Sequence, residues 1–318
     1  MRTLVSLGSG LVVVGLMSAL AAAGCGNGDD DDSTDGGATG TKDGSTTGTG
    51  TDGGTGTGSD SGGGGGTETA GTLLFGAGGT DNNMVPTGYQ IVGVFVTGSS
   101  SGTGGGSPCG AVVDSCQYCG GGTLDAGTVH VAITEESAGT LTIDDGTAAI
   151  ATLTYDSTEQ IYQSDSTQDG QSTAVWAPGD TLDVTASGAA FPAFTGSVKA
   201  PLSFTGVTPA FADESMLTVP TSGLTVSWTP AGDSSQVKLL LGVDANLNST
   251  SVSCTVADSA GKIVVPASLL AQLAANGDSS GTVGLTRTLT STATASGGAT
   301  VALTAQALEY TGQFTFSQ

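Results

Sequence analysis

The side chains of this sequence that could do redox, nucleophilic or metal chemistry are few: five cysteines, one histidine, and carboxylates set mostly in turns. Cys109, Cys116, Cys119 and Cys254 form an even set once Cys25 is put aside. In an exported chain such a set reads first as two disulfides. Three pairings exist, and the favoured one has a bridge within the Cys109–Cys119 loop and another from that loop to Cys254. The stretch SPCGAVVDSCQYCGGG carries little apolar surface, so a covalent staple is the natural way to hold it. Two sharper readings compete. Cys116-x-x-Cys119 has the spacing of a thioredoxin-like redox pair, but that chemistry uses a helix N-terminus to lower the thiol pKa, and Gly120-Gly121-Gly122 argues against one. Four thiolates are also a zinc set, yet a second C-x-x-C is missing and an exported protein meets an oxidising compartment.

The other candidates have plainer readings. In TVHVAIT, Val129, Val131 and Ile133 take one strand face and His130 the other, as a solvated strand residue would. His130 would be the only base available to any Ser/His triad. Gly98-Ser99-Ser100-Ser101-Gly102 fits G-x-S-x-G, but the hydrolase elbow needs a strand-to-helix turn and a downstream histidine, and His130 is followed by strand. Gly277-Asp278-Ser279-Ser280-Gly281 resembles a GDSGG nucleophile loop with its fourth residue changed, and its wider context is absent. Asp144-Asp145-Gly146 and Asp165-x-x-x-Asp169-Gly170 put carboxylates in turns, where Ca²⁺ takes flexible oxygen ligands. Ordinary Asp-Gly turn chemistry accounts for both. A carboxylate pair for glycoside hydrolysis would be paired in space, with Trp176, Trp228, Tyr155 and Tyr162 as the main platforms for a sugar. The reading therefore assigns no catalytic, cofactor-binding or metal-binding residue.

The N-terminal residues bear on compartment. Arg2 opens the chain, Leu4 to Leu20 are almost uncharged and apolar, and Ala21, Ala22, Ala23 and Gly24 precede Cys25. This is the layout of a secretory signal peptide over residues 1–24. Ala22-Ala23-Gly24-Cys25 resembles the bacterial lipobox, although Ala22 stands where that motif usually has Leu. The resemblance implies lipidation at Cys25 and membrane attachment through the lipid, each buried methylene contributing about 0.8 kcal/mol. Simple cleavage before Gly24 and an uncleaved anchor are the alternatives.

Residues 25–70 read as a disordered linker rich in Gly, Ser, Thr and Asp, without the large apolar side chains that would offset the entropy of ordering it. Beyond it, residues 71–318 hold twenty acids against Lys199, Lys238, Lys262 and Arg287. So acidic a body lacks the basic patch that neutralises phosphates, which argues against nucleic acid.

The elements that must position any site are strands. Alternating apolar and polar residues mark Tyr89–Thr97, Thr128–Thr134, Ala149–Tyr155, Thr181–Thr185, Leu224–Trp228, Gln236–Val243, Ser251–Val256, Lys262–Val265 and a long run from Ala299 to Phe316. One short helix is expected over Ala267–Ala275, between Pro266 and Asn276-Gly277. The fold class is all-β, with two antiparallel β-sandwich domains after the linker. The first is placed at 71–208 and the second, immunoglobulin-like, at 209–318, with Trp228 plugging the core and Cys254 on a later strand. A single continuous domain over 71–318 is the alternative.

PGDTLDV (Pro178–Val184), FPAFTG (Phe191–Gly196) and CTVADSAGKIVVPASLL (Cys254–Leu270), with the lipobox and the long linker, resemble uncharacterised lipoproteins of myxobacterial type. That resemblance implies an anchored exported β protein and carries no activity with it. The functional expectation is a non-enzymatic structural or binding role at the cell envelope, in the outer membrane or at the cell surface. Its partner would be an envelope protein or a polysaccharide. The alternatives are a polysaccharide-binding surface module and a carboxylate-dependent secreted hydrolase.

Overall fold

A computed structural model describes residues 68–80, 86–101, 109–120, 130–165, 176–210, 216–245, 248–275 and 279–317, all within the unit Gly66–Gln318. Cys25 and most of the expected linker lie outside them. The first strand, β1 (Glu68–Thr80), begins three residues before the expected end of that linker, so Glu68, Thr69 and Ala70 are corrected from coil to strand.

Period-two patterning gives an all-β chain. β2 (Pro86–Ser101), β3 (Cys116–Cys119), β4 (His130–Glu135), β5 (Leu141–Asp144), β6 (Ala149–Leu153), β7 (Tyr162–Asp165), β8 (Thr181–Ala186) and β9 (Phe194–Lys199) complete the first half. β10 (Met216–Pro220), β11 (Leu224–Ser227), β12 (Gln236–Ala245), β13 (Asn248–Ala257), β14 (Lys262–Val265), α1 (Ala267–Ala275), β15 (Ser280–Thr294) and β16 (Thr300–Ser317) form the second. The helix forms over the expected residues and buries Leu269, Leu270 and Leu273.

One ten-stranded sheet is the backbone of the architecture, in the order β3-β13-β12-β15-β16-β1-β2-β4. β7 shares the far edge of β2 with β4, and β10 pairs with β16 beyond the end of β1. Most pairings are antiparallel, while β1 and β10 both run parallel to β16. A four-stranded sheet, β6-β5-β8-β9, covers one end of the long sheet. There Leu141, Ile143, Leu182 and Val184 meet Leu73, Phe75, Phe95 and Leu303 in one core. At the other end the β11-β14 pair and α1 supply Val226, Ile263, Val265 and Leu270, which meet Leu239, Leu241, Val283 and Phe314 in a second core. Each fully buried Leu or Phe contributes roughly 1.5–3 kcal/mol.

The long sheet runs across the boundary expected between the domains at 71–208 and 209–318. β16 pairs with β1 along Ala70–Gly78 and with β10 along Met216–Pro220, so a strand of the second half is shared by both cores. β3, from the first half, is joined to β13. The reason is physical: the long sheet that both cores pack against draws its strands from both halves. Two local devices let one strand pair serve two cores. Leu285 faces Tyr310 and Thr286 faces Leu308, so Glu309 is an extra residue in β16. Before this bulge Val301, Leu303 and Ala305 point to the first core; after it Phe314 points to the second. Without the extra residue Phe314 would fall on the opposite face. The second device is close approach. A Cβ on Gly196 of β9 would lie 2.6 Å from the Cβ of Ala293 on β15, so the two sheets touch there through glycine.

Candidate functional site

The most exposed constrained feature is a hairpin at one edge of the long sheet. Cys109 bridges to Cys119 and Cys116 to Cys254. One bond thus lies within the loop, and the other ties the loop to a distant strand. β3 pairs with β13 in a register that puts Cys116 directly opposite Cys254, both fully buried. Cys109 and Cys119 also face each other, but are half-exposed. The C-x-x-C pair is therefore divided between two partners, and neither a Cys116–Cys119 redox couple nor a four-thiolate zinc site exists in this arrangement.

Between the bridged cysteines the chain reverses in two residues. The Val113 N–H donates to the Cys116 carbonyl at 2.7 Å and the Cys116 N–H to the Val113 carbonyl at 2.8 Å. Asp114 and Ser115 take φ of 48° and 66°, as a type I′ hairpin requires of both central residues. Such turns favour Asn-Gly, and Asp-Ser in that conformation carries backbone strain that the surrounding structure must impose. The disulfides supply the constraint. Gly110 to Ser115 are all exposed, and Val112 keeps 67% of its surface accessible and Val113 40%.

A second cluster is buried and charged, and the sequence reading passed over it. Arg287 on β15 and Asp258, in the short 3₁₀ turn Asp258–Ala260, are both fully buried and paired at 2.7 Å. Arg287 also donates to the carbonyls of Leu202 (2.6 Å) and Ser203 (2.9 Å), and its guanidinium lies 4.1 Å from the Phe204 ring centroid. Asp258 accepts from Trp228 Nε1 at 2.9 Å and from the Ala231 N–H at 2.6 Å. The network joins the connection after β9 to the second core. Its geometry is that of a fully buried structural ion pair with no open face for a substrate, in which Arg287 Nε alone is left without a hydrogen-bond partner. A lone cation at an inward strand position was the available signal.

The remaining candidates resolve as follows. Asp144 accepts from the Gly146 N–H, and Asp145 accepts from the N–H groups of Thr147 and Ala148 and from the Thr147 hydroxyl. These bonds hold the Asp145 carboxyl below its usual range. They occupy the turn with its own carboxylates. Asp169 and Gly170 lie outside the described residues, as do the side chains of Asp165 and His130. Trp176, Trp228 and Tyr162 are buried, so none offers a face to a sugar; Tyr155 is half-buried against Tyr162. The Tyr162 hydroxyl accepts from the Ala138 N–H at 2.8 Å and donates to the Gly139 carbonyl at 2.6 Å. Gly98–Ser101 belong to β2, a strand rather than an elbow, and Ser280 and Gly281 open β15. Among the described residues no three His, Cys, Asp or Glu side chains gather as a metal site. No helix among them is long and apolar enough to cross a membrane.

No protein-family model matches the chain, and no curated protein does. Among solved structures it is similar to a chain of a 1.5-MDa bacterial ice-binding adhesin concerned with host cell surface retention, at 13% identity and a TM-score of 0.16. That match covers 79% of this chain and 66% of the adhesin chain. It is also similar to the FN1–FN3 domains of chicken CNTN1, at 10% identity and a TM-score of 0.21, covering 69% of this chain and 78% of that one.

Proposed function

We propose that the chain is an exported, lipid-anchored protein of the cell envelope whose β body has a non-enzymatic structural or binding role. The observation that carries the reading is the pair of disulfides at the sheet edge, since such bonds persist where the surroundings are oxidising. A signal peptide ending before Cys25 would deliver the chain to such a compartment. The hairpin supports a binding role, because it presents Val112 and Val113 on a backbone already fixed by covalent bonds. Preorganisation of this kind lowers the entropy cost of association. Burial of Trp176, Trp228 and Tyr162 favours a protein partner over a polysaccharide. Turn carboxylates held by their own backbone favour binding over hydrolysis.

Intact mass of the protein purified from its native membrane, with and without reduction, tests the reading. The expected mass starts at an acylated Cys25 and rises by about four daltons on reduction, two hydrogens for each bond opened. An unacylated start at Gly24, or free thiols before reduction, overturns it.

A further inference from the structure

The two disulfides differ in a way that bears on regulation. Cys116 and Cys254 are fully buried within the second core. Cys109 and Cys119 are half-exposed at the sheet edge. Thiol–disulfide exchange needs a thiolate to reach a sulfur along the S–S axis, so access sets the order in which bonds open.

What the exposed bond holds is equally unequal. None of the six residues Gly110 to Ser115 is buried, and none of their side chains belongs to either core. Its backbone is tied to β3 by the Gly110 N–H donating to the Tyr118 carbonyl at 2.8 Å and by the reciprocal Val113–Cys116 pair, and its turn to β13 by the Thr255 N–H donating to the Ser115 carbonyl at 3.0 Å. Against those exposed hydrogen bonds stand the entropy of ordering the arm and the positive φ of Asp114 and Ser115. The Cys109–Cys119 bond is therefore the main restraint on the arm. Beneath the arm lies the outer edge of β3, the last strand at that end of the long sheet. An uncovered strand edge is a template for pairing with another chain.

We infer that Cys109–Cys119 is a thiol-exchange site for a dithiol reductant, and that opening it frees the 109–115 arm and uncovers the β3 edge. In the exchange one thiolate of the dithiol attacks either sulfur, the S–S bond breaks and a mixed disulfide forms. The second thiol of the dithiol then displaces the remaining protein sulfur. The dithiol leaves as its own disulfide, and Cys109 and Cys119 each gain one electron and one proton. Cys116–Cys254 stays closed throughout, so β3 remains attached to β13 while its outer edge is bare.

The test is dithiothreitol titration of the full-length exported protein under native conditions. Free thiols are alkylated and mapped by peptide mass, and a low dose of elastase reports backbone exposure within 110–115. Cys109 and Cys119 are expected to alkylate at least about tenfold faster than Cys116 and Cys254, with elastase cuts at Ala111–Val113 appearing in step. Simultaneous alkylation of all four cysteines, or earlier labelling of Cys116 and Cys254, overturns the inference. The variant C109S/C119S should be cut at the same sites without reductant; full resistance there, with the Cys116–Cys254 bond intact, overturns the uncovering step.

Discussion

The two disulfides close loops of very different length, and this can be put to a quantitative test. Cys109 and Cys119 are 10 residues apart, while Cys116 and Cys254 are 138 apart. In the chain-entropy account a bridge removes about 2.1 + 1.5R ln n cal/mol/K from the unfolded ensemble, n being the residues in the loop. The short loop is then worth about 2.7 kcal/mol at room temperature and the long one about 5. C109A/C119A should cost about 2.7 kcal/mol, and C116A/C254A should cost about 2 kcal/mol more than that. Alanine at the buried pair also removes two packed sulfur atoms, so the second loss should lie at or above the entropic figure. Urea unfolding read by tryptophan fluorescence is the assay, because Trp176 lies in the first core and Trp228 in the second. Coincident shifts of both probes are expected, since one strand pair serves both cores. Equal losses, or a larger loss from opening the short loop, would refute loop length as the source of the stabilisation.

Three further outcomes are expected. A fragment of residues 209–318 should fail to fold, because β16 loses β1 and Cys254 loses Cys116; a cooperative thermal transition by circular dichroism would contradict the shared-sheet architecture. D258A should cost about 3–5 kcal/mol and more than R287M, because losing the carboxylate leaves the buried Arg287 charge and the Ala231 N–H without their acceptor, while Trp228 Nε1 keeps only the backbone carbonyl of residue 258, and denaturant midpoints rank the two. The Tyr89 hydroxyl is pushed up to about 12 by burial and then by the charge of Asp180. Raising the pKa means that the fold prefers the neutral phenol, so its contribution is fully present below the ordinary value near 10 and is lost as pH rises towards 12. Stability measured across that window should fall for the wild type and less for Y89F.

Much of the strand content was legible because it follows from side-chain alternation alone. Leu224–Ser227 and Lys262–Val265 alternate cleanly and form strands, and Ala267–Ala275 forms the helix bounded by Pro266. β1 and β15 were not legible, although they lie at the centre of the long sheet. In β1, Gly71, Gly76, Gly78 and Gly79 interrupt the alternation of apolar and polar side chains. Yet Gly71 pairs with Phe95 and Gly93 with Leu73, small against large, and a Cβ on Gly93 would lie 2.8 Å from Leu73 Cδ1. Glycine there makes room for a neighbour's side chain, which only the register reveals. In β15, Arg287 occupies an inward position and breaks the apolar pattern; its partner Asp258 comes from another element.

The sequence by itself determined the local periodicities, the acidic surface and the presence of four cysteines in the body, because each depends on residues near one another in the chain or on a count. It left the partners of those elements open. That Ala70–Gly78 runs beside Thr300–Leu308, that Cys116 meets Cys254 across 138 residues, and that Arg287 finds a buried carboxylate were decided by tertiary structure alone. Pairings at such separation are selected by the simultaneous burial of apolar faces contributed by distant strands, and no local window of sequence contains that information.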